Sequence, residues 1–111
     1  IKFLILGLTF KENTNDFRNS KSVEIVKILK KSKHNIYCYD PYIEKDNNIK
    51  SLNDNLILKP KKNFFDFIIL CVSHNQFISM NYSVIKSFLK KDGVIFDIKD
   101  ILKKNKNILK L

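Results

Sequence analysis

Two cations of different kinds bracket one polar stretch of the chain: Lys11 and Arg18, in GLTFKENTNDFRNS from Gly7 to Ser20. Arg18 is the only arginine, beside 20 lysines. A guanidinium grips two phosphate oxygens at once, which an ammonium cannot. The stretch leaves an apolar run and leads into a helical pattern. The two cations and the amides of the helix start would together make an anion site suited to phosphate. The competing reading pairs Arg18 with Asp16 or Glu12 across the loop, and spacing alone leaves both open.

Further candidates lie later in the chain. In FDIKD, alternation sends Phe96 and Ile98 to one side and Asp97 and Lys99 to the other. Polar side chains at the end of an apolar strand need partners, so Asp97 and Lys99 are either functional or on a solvated rim. His74, in VSHNQF, can act as acid or base near neutral pH, but a lone histidine is more often a structural or loop-shaping residue. His34 falls in a helix-to-strand turn and is expected in solvent. Asp40-Pro41 reads as a strand end. An acid there can bind ribose in dinucleotide folds, a role that needs a glycine loop this chain lacks. Cys38 and Cys71 each sit inside an apolar run without CxxC or Cys/His spacing. They are expected to be buried reduced thiols of a cytosolic protein, with no metal.

The elements that would position these groups follow from periodicity. Lys2 to Leu8 is apolar after its first residue, as in a strand covered on both faces. From Ser20 to Lys33 the period becomes helical: Val23, Val26 and Leu29 form a stripe flanked by Ile25 and Ile28. Lysines crowd the last turn, where the helix dipole favours them, and Ser20 or Asn19 can cap the start. Ile36–Tyr39 predicts a second strand, Leu56–Leu58 a short third, and Phe65–Ser73 a fully buried one. Helical spacing after His74 is strongest at Val84, Ile85, Phe88 and Leu89, with Gly93 as its stop. Val94–Ile98 predicts a further strand and Ile108–Leu111 an edge strand.

This order predicts an α/β fold: a Rossmann-like, doubly wound, mainly parallel sheet of five to six strands with helices on both faces. Ligands of such sheets bind outside the carboxyl ends of the strands where the winding reverses. The loops after Leu8, Ser73 and Ile98 are therefore the candidate sites. Gly7 and Gly93 are the only glycines, so neither the GxGxxG turn nor the Walker loop is available.

At 111 residues the chain predicts a single domain. Its formal charge of +10 invites a nucleic-acid reading. The lysines are dispersed and no aromatic-interleaved basic stripe exists, so a solvated lysine surface is the expectation. No apolar run approaches the roughly 18 residues of a membrane helix. The chain opens on Ile1 in a strand-like run and not on Met, and no signal peptide is expected. We expect a piece of a longer cytoplasmic protein.

Against this background LGLTFKENTNDFRNSKSVEIVKIL resembles the opening of the UDP-binding domain of the UDP-glucose/GDP-mannose dehydrogenase family, G-x-[AT]-F-K-x-x-[TC]-x-D-x-R-x-[ST]. YDPY, DFIILCVSHNQF and VIFDIKDIL follow in the family's order. TFKEN with D-x-RN, and the D-x-K ending, resemble the branch that oxidises UDP-N-acetylhexosamines for bacterial surface polysaccharides. The resemblance implies one UDP-sugar-binding domain over residues 1–111, the C-terminal third of a dehydrogenase. Its substrate would be UDP-N-acetylglucosamine, UDP-N-acetylgalactosamine or UDP-glucose. It implies that Phe10 and Lys11 meet the UDP-sugar and that Lys99 stands against it. Arg18 would reach NAD across a subunit interface, in a homo-oligomer, and Asp16 would orient the loop. The family's NAD domain, and its helical domain with the catalytic cysteine, would be the partners in the parent chain. Neither Cys38 nor Cys71 matches that cysteine, so this piece alone is expected to bind and not to oxidise. The other function class that remains is a non-catalytic nucleotide- or partner-binding module of the same fold.

Overall fold

Leu4 and Leu6 belong to one hydrophobic core and Ile5 to another, because successive side chains of strand β1 (Lys2–Leu6) point to opposite faces of the sheet. The computed structural model describes residues 1–9, 11–16, 20–43, 54–103 and 105–110. After β1 come helix α1 (Lys21–Lys30), β2 (Asn35–Tyr39), β3 (Phe65–Leu70), helix α2 (Asn75–Ser87), β4 (Leu89–Asp97) and β5 (Ile108–Lys110). The strands form one sheet in the order β2-β1-β3-β4-β5, and every pair is parallel. α2 buries Phe77 and Ile85 in the core of Leu4 and Leu6, while α1 buries Val26 in that of Ile5. The helices therefore cover opposite faces, as the doubly wound reading requires.

The chain runs from β1 out to β2, then back past β1 to β3. The winding reverses between β1 and β3, so the crevice faces the carboxyl ends of those two strands. Ser20 caps α1, its hydroxyl accepting from the Val23 amide at 3.4 Å. The expected apolar stripe is narrower than its spacing suggests, since Ile28 is 65% exposed.

Several predicted elements differ. Leu56–Leu58 is not a strand: Leu56 makes a single parallel bridge to Cys38, and Leu58 stands in solvent. Proline at position 60 has no amide to extend the pairing. β3 ends at Leu70 rather than Ser73, and it is not covered on both faces, because Phe67 is 36% exposed and stacks on Phe3 at 5.2 Å. Gly93 does not stop α2. The helix ends at Ser87, and Phe88 and Leu89 are buried where β4 begins. Gly93 instead lies in a bulge: Phe65 pairs with Leu89 and Phe67 with Val94, with Asp92 at φ 68 between them. α2 itself is broken at Asn81 (φ 57, ψ −177), whose side-chain oxygen accepts from the Ser83 amide at 2.9 Å and restarts the helix. The predicted edge strand exists as β5, paired to β4.

Candidate functional site

The turn out of β1 is set by Gly7. Its φ is +95, and a Cβ there would lie 2.6 Å from Cβ of Val72. Only glycine lets the end of β1 pass so close to the chain leaving β3. Beyond Gly7, the Leu8 amide donates to Oδ2 of Asp40 at 2.7 Å. Thr9 Oγ1 donates to the Lys11 carbonyl at 2.6 Å, and Thr14 Oγ1 to the same carbonyl at 3.4 Å. The Asp16 amide donates to Thr14 Oγ1 at 3.3 Å. These short-range bonds fold the segment after β1 into a defined loop, from which the Lys11 side chain is exposed.

The loop is also tied to two other strand ends. His74 follows β3, is fully buried, and accepts at Nδ1 from the Asn13 amide over 2.8 Å. A nitrogen that accepts an N–H holds a lone pair, so the ring proton sits on Nε2. Nε2–H then donates to Asp40 Oδ2 at 2.9 Å, with Thr9 Oγ1 at 3.3 Å beside it. The other Asp40 oxygen accepts from the Tyr42 amide at 2.8 Å. Asn13, itself at φ 60, turns its side-chain oxygen to the Asn75 amide at 2.8 Å and so caps α2 from outside. The rings of Tyr42 and Phe77 close over the imidazole at centroid distances of 4.7 and 5.4 Å.

A model described as the UDP-glucose/GDP-mannose dehydrogenase family, UDP binding domain, matches residues 4–104. The chain belongs to this family. This UDP binding domain is 33% identical over 110 residues to the UDP-N-acetyl-D-glucosamine 6-dehydrogenase of Pseudomonas aeruginosa, covering 99% of this chain and 26% of that protein. It is 34% identical over 99 residues to the enzyme of the same name from Salmonella typhi, covering 89% of this chain and 23% of that one. Among solved structures it is similar to the UDP-D-ManNAc dehydrogenase of Pyrococcus horikoshii, with a TM-score of 0.70, 26% identity, and coverage of 97% and 24%. The family and its UDP-N-acetylhexosamine branch are those the motifs resembled. The chain spans about a quarter of the length of these relatives.

Of the expected site residues, the UDP binding domain carries Lys11 and Lys99 exposed at one sheet edge, after β1 and after β4. Asp16 is half-buried in the same loop as Lys11. Phe10 and Arg18 lie outside the described residues. Asp97 is neither a ligand-facing group nor a rim residue. It is fully buried, and its carboxylate accepts from the amides of Ile101 at 3.2 Å and Leu102 at 2.8 Å. Asp40 is also committed inside the protein. Its two oxygens already take three hydrogen bonds, which removes the ribose role considered for it.

The thiols stand apart from any chemistry. Burial pushes Cys71 up to about 11, against a Ser22 hydrogen bond and the Lys99 charge, which lower it. Burial, with Cys71 nearby, pushes Cys38 up to about 12. Neither is a thiolate nucleophile at neutral pH. A cavity of about 560 Å³ opens at the opposite, amino edge of β4, between Tyr82, Lys86, Lys90 and Asn107. It is the hollow beneath the Lys90–Gly93 bulge and touches none of the motif residues. Topology and motif both favour the carboxyl edge.

Proposed function

We propose that this chain is the UDP-sugar-binding domain of an NAD-dependent nucleotide-sugar 6-dehydrogenase and forms its C-terminal part. The parent enzyme would oxidise the C6 alcohol of the sugar to a carboxylate. Its substrate would be UDP-N-acetylglucosamine, UDP-N-acetylgalactosamine or UDP-glucose, in the cytoplasmic supply of surface polysaccharide precursors. One observation carries this reading: the family's motif loop leaves β1 at the reversal of winding, with Lys11 exposed on it and Lys99 on the same edge. Two ammonium groups there suit the phosphates and hydroxyls of a UDP-sugar. Phe10 would meet the same ligand, and Asp16 would orient the loop. Arg18 would reach NAD in a neighbouring subunit of a homo-oligomer.

The described residues do not supply the glycine cradle and ribose acid of an NAD site. Gly7 is used to pass Val72, and Asp40 is saturated by internal bonds. The glycine cradle and the ribose acid of a dinucleotide fold are thus both missing here. NAD belongs on the parent's other domains, and the thiols of this one stay protonated.

Calorimetric titration with UDP, UDP-N-acetylglucosamine and UDP-glucose tests the proposal on wild type and Lys11→Ala. Saturable UDP binding should weaken about tenfold in the variant, as expected for one charge-assisted hydrogen bond. Folded protein that ignores millimolar UDP, or equal affinity in the variant, would count against it. The ranking of the two sugars tests the branch.

A further inference from the structure

We propose that the buried Asp40–His74 pair is a positioning element for the Lys11 loop, setting its shape through one fixed imidazole tautomer. The inference rests on the UDP-sugar reading for its functional consequence, but not for its geometry. His74 has no exposed surface, and both ring nitrogens are occupied by protein groups, so it cannot meet a ligand as acid or base. Its partners are not those of an ordinary core histidine. Nδ1 holds the Asn13 amide and Nε2 lies beside Thr9, two residues either side of Lys11. Thr9 in turn donates to the Lys11 carbonyl.

Asp40 fixes the direction of this chain of bonds. Its oxygens also accept from the Leu8 and Tyr42 amides, and as a carboxylate it has only acceptors to offer Nε2. The proton is therefore held on Nε2, Nδ1 is left bare, and a backbone N–H is the group that can satisfy it. Asn13 answers with its amide while its side chain caps α2 at Asn75. The loop is thereby fixed at both ends of the Lys11 segment to the ends of three strands. Polar groups this deeply buried are costly to leave unpaired, which makes the arrangement closely specified.

Three readouts on the same chain test the inference. The imidazole ¹⁵N shifts of His74 should show a bare Nδ1 and a protonated Nε2; the reverse tautomer would overturn it. His74→Phe should speed hydrogen exchange at the Asn13 amide while the β1 and β3 amides stay protected. UDP affinity in that variant should fall about tenfold. His74→Gln offers one donor and one acceptor, and should keep affinity within about threefold of wild type. If His74→Phe does not fold, Thr9→Val cuts the bond to the Lys11 carbonyl and should weaken UDP in the same direction. Wild-type exchange at Asn13 with wild-type affinity, in either variant, sinks the proposal. If wild type itself ignores UDP, the functional reading fails, and the tautomer and exchange results still decide the clamp.

Discussion

Gly7 and Val72 touch backbone to side chain: a Cβ on Gly7 would fall 2.6 Å from Cβ and 2.9 Å from the amide nitrogen of Val72. Neither group is the flexible tip of a side chain, and the φ of +95 is a second obstacle. Gly7→Ala should therefore cost about 3 kcal/mol or more. Gly93→Ala is the control. Its nearest contact is Cδ2 of Leu89 at 2.7 Å, the end of a side chain; Cβ of Leu89 and the Lys90 carbonyl oxygen follow at 3.0 Å, a gap closed by a shift of a few tenths of an ångström, and its φ is not positive. The control should lose about 1 kcal/mol. Urea midpoints at constant m-value check both.

Asp40→Asn replaces one acceptor oxygen with an NH₂ group. Wherever that group points, it faces a donor: the Leu8 amide and His74 Nε2–H on one side, or the Tyr42 amide on the other. We expect a loss of about 2–3 kcal/mol, read from urea unfolding. A loss below about 0.5 kcal/mol would mean that the carboxylate is not holding these donors.

Both thiols are raised above their ordinary value of 9.0 in the folded chain, to about 12 at Cys38 and about 11 at Cys71. The folded state thus binds their protons more tightly than the unfolded state. This contribution is fully present below pH 9 and is lost as pH climbs from 9 towards 11 and 12. Each thiol should remove up to about 1.4 kcal/mol of stability per pH unit in that window. Urea unfolding across that range should show a shallower decline in a Cys38→Ala/Cys71→Ala variant. A thiol reagent at pH 8 should label neither cysteine until denaturant is added.

Asp97→Ala should loosen the segment between β4 and β5. It leaves the Ile101 and Leu102 amides without their acceptor and takes a nearby anion from Lys110. The expected cost is about 2–3 kcal/mol, with faster hydrogen exchange at Ile101 and Leu102 than at β1. Equal exchange in the variant would show that the carboxylate is not the staple.

The architecture was legible because its signals are local. The apolar runs of β1 and β3, the stripe of α1 and the Ser20 cap each occupy a short window, and their alternation predicts the parallel sheet. The motif loop was legible as a resemblance because Gly7, Lys11 and Asp16 keep family spacing. What escaped was non-local. Asp40 and His74 are 34 residues apart, and each reads by itself as a strand end. Nothing in either stretch says that they meet, or that Asn13 bonds to a histidine 61 positions on. Asp97 misled for the opposite reason: a charged residue at a strand end suggests solvent, but two backbone amides five residues or fewer ahead satisfy it in the interior. Phe88 and Leu89 fit a helical stripe and a strand start equally well, and pairing with Phe65 decided between them.

The knot that joins Thr9, Asn13, Asp40 and His74 draws on the ends of β1, β2 and β3 at once. Parallel strands have no hairpin turn to fix their alignment, and a slip of one residue sends every side chain to the other face. Such a slip in β2 or β3 would carry Asp40 or His74 away from its partner and strand a polar group in the interior. The same few atoms that shape the Lys11 loop therefore act as a registration mark for the central sheet, so that only a correctly threaded chain presents a complete loop to its ligand.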